Sequence, residues 1–131
     1  MEFINLTIDE VLEIHDDIIQ FYGGGLNGIR DKSLLLSALN KPYEFYFDYE
    51  LYRTIEEKIS SIVHSIICFH VFVDANKRTG VAVLCILLEM NEIYINYTQH
   101  ELSDLGVGIA NKKYDVHDIS NWIIEHKINR W

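Results

Sequence analysis

The sequence predicts an all-α fold, one compact helical bundle over residues 1–131 packed around a buried central helix. Three observations carry this expectation. The signature of a capping box, Thr followed three residues later by Glu, recurs at Thr7–Glu10, Thr54–Glu57 and Thr98–Glu101. Apolar residues then follow at helical spacing, most cleanly after Thr7 and Thr54. The run TGVAVLCILLEM, from Thr79, is apolar on every side, as suits a helix surrounded by others.

The first helix opens at Thr7, carries Ile8, Val11, Leu12, Ile18, Ile19 and Tyr22, and is ended by Gly23, Gly24 and Gly25. A second starts near Asp31, in DKSLLLSALN, and stops at Pro42, the only proline. The third, from Thr54, sets Ile55, Ile59, Ile62, Val63, Ile66 and Ile67 on one stripe, with His70 at its end. The apolar run is the fourth helix, Thr98 opens another, and Asp115 caps a last one carrying Val116, Ile119, Trp122 and Ile123. Two stretches read as extended. Tyr43, Phe45, Phe47, Tyr49 and Leu51 alternate strictly, which is a strand period, and EIYIN around Ile93 and Ile95 is a second short piece.

Composition bounds the function. Hydrophobic residues make up 49% and charged residues 24%, the balance of a soluble globular protein. Asp and Glu number 20 against 11 Lys and Arg, for a net charge of −9 without a basic patch. That argues against direct nucleic-acid binding over a broad surface and leaves room for a local phosphate site, which needs a few donors and one helix end. Cys68 and Cys85 lie inside apolar helical runs and read as buried free thiols of a reducing compartment. MEFINLTIDE lacks the basic and then apolar order of a signal peptide, and the run Val81 to Leu88 is too short to span a bilayer. A cytoplasmic protein with no membrane partner is expected.

Chemistry concentrates in HVFVDANKRTG, from His70 to Gly80. His70 can accept a proton from an attacking hydroxyl, since imidazole titrates near neutrality. Asp74 offers an oxygen ligand to a hard cation such as magnesium. Asn76, Lys77 and Arg78 fall where the next helix begins, and there free N–H groups and the positive helix end attract an anion. Each residue also has a plain reading: His70 as a satisfied core histidine, Asp74 and Asn76 as helix caps, Lys77 and Arg78 as a solvated first turn. Cations at a helix N-terminus are mildly unfavourable, a conflict that a bound anion removes. On residue types and spacing alone both readings stay open.

The segment HVFVDANKR, His70 to Arg78, resembles the Fic motif of His, any residue, Phe, any residue, Asp or Glu, Gly or Ala, Asn, Gly or Lys, Arg. His15-Asp16, YGG at Tyr22 to Gly24, GIRD at Gly28 to Asp31, SAL at Ser37 to Leu39 and EEK at Glu56 to Lys58 are similar to the death-on-curing (Doc) branch of that family. The resemblance implies a Fic-type bundle whose motif loop leads into the central helix, and transfer of part of a nucleotide triphosphate to a protein hydroxyl. Lys77 after the asparagine, and Gly80 and Val81 where a second motif arginine usually lies, point within the family to transfer of the terminal phosphate of ATP. It further implies His70 as base, Asp74 as Mg2+ ligand, and Asn76, Lys77 and Arg78 as phosphate holders. Phe45, Phe47 and Tyr49 then belong to a flap that aligns the target as an added strand. The implied partners are a target protein, with translation elongation factor Tu as the expected one, and a cognate antitoxin that restrains a toxin.

The chain departs from that branch where Cys68 stands in place of a common basic residue and Ala82 in place of a polar one. Two rivals follow: an AMP transferase on the same scaffold, and a non-catalytic module that only engages an antitoxin. His15 reads as structural, and Arg30 and Asp31 either line a cleft or brace a loop, the loop being preferred. His64, His100, His117 and His126 show no zinc spacing. The aromatics of Tyr43 to Tyr52, taken one by one, read as cover for the edge of the core.

Overall fold

A computed structural model of the chain describes residues 2–22 and 28–128. Its elements are α1 (Ile8–Tyr22), α2 (Lys32–Asn40), a 3-10 turn (Lys41–Tyr43), β1 (Phe45–Tyr46), β2 (Tyr49–Glu50), α3 (Ile55–Cys68), α4 (Asn76–Met90), α5 (Gln99–Ala110) and α6 (Val116–His126). Gly23, Gly24 and Gly25, expected to end the first helix, lie outside the described residues, as does most of YGG.

Local chemistry sets the helix starts. At Thr7, Thr54 and Thr98 the hydroxyl accepts the N–H three residues on, and the Glu there returns a carboxylate to the threonine's own N–H. Asp115 and Asp118 form the same reciprocal pair ahead of α6, and Asp31 caps α2 through the Ser33 N–H. Pro42 does not stop α2 abruptly: the chain tightens into the 3-10 turn around it.

The fold is the expected all-α bundle, but its most enclosed helix is α3 and not the apolar run of α4. α3 packs against α2, the 3-10 turn, α4, α5 and α6. Ile59, Ile62, Val63 and Ile66 are fully buried, and Ser60, Ser61 and Ser65 are buried with them. Those serines satisfy their hydroxyls on the helix's own carbonyls, of Glu56, Lys58 and Ser61. Small polar side chains thereby fit against neighbours without an unmet donor, which a hydropathy pattern does not register. α4 buries Gly80, Val83, Leu84, Leu87 and Leu88, while Val81, Ala82, Cys85 and Ile86 stay half-buried. Gly80 is where α3 and α4 touch: a Cβ there would stand 2.4 Å from Ile67 Cγ1.

The alternating aromatics form a hairpin and not one strand. β1 and β2 pair antiparallel, Phe45 opposite Glu50 and Tyr46 opposite Tyr49, and Phe47 turns the chain at φ 56°. These rings do not cover the core's edge, for Phe45, Phe47 and Tyr49 are 60, 82 and 66% exposed. Lys58 anchors the hairpin's base by bonding the Tyr52 carbonyl and lying 3.8 Å from Glu50. The EIYIN stretch is extended as expected, bridging through Ile95 to Lys127 just after α6.

Candidate functional site

The loop from Phe69 to Ala75 joins α3 to α4, and almost every residue of it is held by a different part of the chain. Phe69 ends α3, and His70 follows at φ 50°, the left-handed state usually taken by glycine after a helix. Arg30 Nε donates to the His70 carbonyl and its Nη2 to the Phe69 carbonyl, both at 2.7 Å. The Arg30 N–H meets the Val71 carbonyl, the Val73 N–H meets the Gly28 carbonyl, and Ile29 bridges antiparallel to Phe72. Asn76 closes both sides of Phe72: its Oδ1 accepts the Phe72 N–H at 2.9 Å and its Nδ2 donates to the Phe72 carbonyl at 3.0 Å. The buried His15 stacks on the Phe72 ring at 3.8 Å and donates Nε2 to the Asp74 carbonyl at 2.9 Å.

The consequence is an exposed His70 on a fixed backbone, so the satisfied-core reading of that residue does not hold. His15 is the core histidine instead, structural as expected. Arg30 braces a loop, also as expected, and that loop is the one bearing His70. Asp31 turns its carboxylate onto the Ser33 N–H and hydroxyl, which hold its pKa below the usual carboxylate value.

Asp74 is exposed and its Oδ1 accepts the Ala75 N–H at 2.8 Å. Ala75, left-handed at φ 63°, stands at the N-cap of α4 without a side-chain cap. Among the six described α-helices α4 alone starts this way, and its first turn carries Lys77 and Arg78 but no acid. The first-turn N–H groups of any helix lack intrahelical partners, so this end presents donors and two exposed cations together. Asn76 differs from its expected part in one respect. Its side-chain amide is committed to Phe72, and what it offers an anion is its backbone N–H.

Beside Lys77 and Arg78 a cleft of about 380 Å³ opens between α1, α4 and α5, lined also by Tyr22, Val81, Gln99 and Gly106. Arg78 sits over the Tyr22 ring, its guanidinium carbon 4.4 Å from the ring centre. His70 and Asp74 are not part of that lining, so the motif spans a cleft wall and the loop at its edge.

Cys68 points to α5, its Sγ 3.5 Å from both His64 Nε2 and the Ile109 carbonyl, and burial pushes its thiol pKa up. Both cysteines are half-buried free thiols, less enclosed than expected. Sequence reading missed the stapling by His15 and Asn76, since neither a lone histidine nor a motif asparagine discloses a partner in the loop.

Known proteins resemble this chain along most of its length. The profile of the Fic/DOC family matches residues 5–88. The chain is 26% identical over 117 residues to "Protein kinase doc" of Escherichia phage P1, covering 89% of this chain and 90% of that protein. To "Toxin Doc" of Mycolicibacterium smegmatis it is 27% identical over 101 residues, 76% of this chain and 77% of that one.

Proposed function

The chain belongs to the Fic/DOC family, and from that premise we propose that it transfers the terminal phosphate of ATP to a hydroxyl of a target protein, as a toxin restrained by a cognate antitoxin. The observation that carries this reading is the uncapped, cation-bearing start of α4 following directly on the loop that exposes His70. The kinase and toxin names of its relatives support it.

In this reading the phosphates rest on the N–H groups of Asn76 to Arg78, with Lys77 as a point charge and Arg78 as a planar fork. His70 takes the proton as the target oxygen bonds to the terminal phosphorus. The bond from that phosphorus to the bridging oxygen breaks, and ADP leaves. Phosphoryl transfer asks mainly for positioning and charge neutralisation, which so few groups can supply. Asp74 fits Mg2+, since that ion takes one or two carboxylates and completes its shell with phosphates and water. No group of three or more His, Cys, Asp or Glu stands together among the described residues. When bound, Mg2+ would neutralise charge on the phosphate oxygens.

The exposed hairpin suits the proposed alignment of the target through Phe45, Phe47 and Tyr49, because a two-stranded ribbon offers main-chain groups to an added strand. Elongation factor Tu is the proposed target and the cytoplasm the proposed compartment. No described helix is long and apolar enough to cross a membrane.

Incubation of the protein with candidate targets and ATP labelled at either the α or the γ phosphate tests the reading. Label from the γ position should reach a target and be lost in His70→Ala by about 100-fold or more, the usual worth of a general base. Label from the α position alone would make the chain an AMP transferase. Neither label moving would leave the antitoxin-binding module.

A further inference from the structure

We propose that Arg30 is a positioning residue for His70, its guanidinium fixing the left-handed turn that aims the imidazole into the reaction. His70 has a Cβ and sits at φ 50°, a backbone state that persists only where surrounding contacts over-determine it. Glycine would take this state freely, but glycine has no imidazole. Glu92 and Lys112 take the same state after α4 and α5, where a following N–H returns to the helix, whereas at His70 the flanking carbonyls are held from outside.

Arg30 is built to hold this state. Nε and Nη2 of its fork each hold one of two consecutive carbonyls, Phe69 and His70, at 2.7 Å. Phe69 is the C-cap of α3 and His70 the residue after it, at the negative end of the helix, where a cation is favoured. The main chain of the same segment locks from the other side through Arg30 N–H to Val71 and Val73 N–H to Gly28. Asp31 does not draw the guanidinium away, because its carboxylate is bonded to Ser33. With Nε and Nη2 already on carbonyls, Arg30 acts through His70 rather than as a phosphate holder. Lys77 and Arg78, by contrast, line the cleft.

This inference rests on the reading of His70 as base, and its test separates the two. Arg30→Ala and Arg30→Lys are compared with wild type in steady-state transfer, thermal unfolding and amide hydrogen exchange. In Arg30→Ala, kcat should fall about 10- to 100-fold, the cost of a misaimed catalytic group. KM for ATP should move by less than about twofold, since ground-state binding is untouched. The Phe72 and Val73 amides should exchange faster, while those of the buried part of α3 and the unfolding temperature hold. Arg30→Lys keeps the charge but cannot span two carbonyls, and should restore only part of kcat. A raised KM at unchanged kcat would make Arg30 a substrate contact and overturn the proposal, as would unchanged kcat and exchange. Should Arg30→Ala fail to fold, the lysine variant carries the same readings. A wild type that labels no target overturns the base reading instead. Exchange at Phe72 and Val73 and the ring resonances of His70 then decide for Arg30, and unchanged signals in the variants end the idea.

Discussion

Asn76 closes two hydrogen bonds on Phe72 across a half-buried part of the loop, so Asn76→Ala removes both at once. A loss of about 1–3 kcal/mol in unfolding free energy is expected, from the unmet Phe72 N–H and carbonyl. Chemical denaturation measures it, and the proposed transfer at His70 should weaken alongside because the same loop carries both. Asn76→Asp keeps the acceptor for the N–H but turns an oxygen onto the Phe72 carbonyl, and should recover little. Unchanged stability in both variants would mean that the amide serves something other than the loop. The candidate site residues could be named from the sequence, since HVFVDANKR is contiguous and its residue types suggest a chemistry. The way they are held was not. Arg30 reaches His70 from forty positions away and His15 reaches Asp74 from fifty-nine, and no periodicity joins such pairs.

Among the elements, helix starts were read well because their cause is local: a threonine and a glutamate three residues apart suffice. The centre of the bundle was read less well. Hydropathy marked α4, but α3 is more enclosed, its three buried serines bonding their own helix. The hairpin was read as a strand because alternation cannot show the turn at Phe47. Gly80 tests how the two central helices meet. A Cβ placed there falls 2.4 and 2.6 Å from two atoms of Ile67, a buried β-branched side chain with little freedom to yield. Gly80→Ala should therefore destabilise by about 1–3 kcal/mol through overpacking, read by thermal unfolding. Because α4 begins at the proposed phosphate site, its displacement should weaken ATP binding as well. Ile67→Ala frees the contested space, so the double variant should be more stable than the sum of the single losses predicts.

Across the whole molecule acids outnumber cations, yet the first turn of α4 carries Lys77 and Arg78 without an acid, the proposed anion site in a protein of net charge −9. The start of α5 depends on charge in another way. His126 Nε2 donates to Glu101 Oε2 at 2.8 Å, tying α6 to the first turn of α5, and the His126 ring stacks on Trp122 at 4.0 Å. Burial works against protonation of His126, but the Glu101 carboxylate and the Trp122 carbonyl outweigh it and raise its pKa from 6.5. The bond from His126, with the Thr98 N–H, lowers the Glu101 pKa from 4.5. The signs set a window. A raised histidine stabilises fully below 6.5 and loses that contribution as pH climbs through its folded value, whereas a lowered glutamate stabilises above 4.5 and loses its share as pH falls through its own. The pair therefore contributes most between those two values. Unfolding temperatures of wild type and Glu101→Gln, measured from acid to mildly alkaline pH, should differ most in that window and converge as pH rises beyond the raised histidine value. A difference independent of pH would show that the contact works through packing on Trp122 and not through charge.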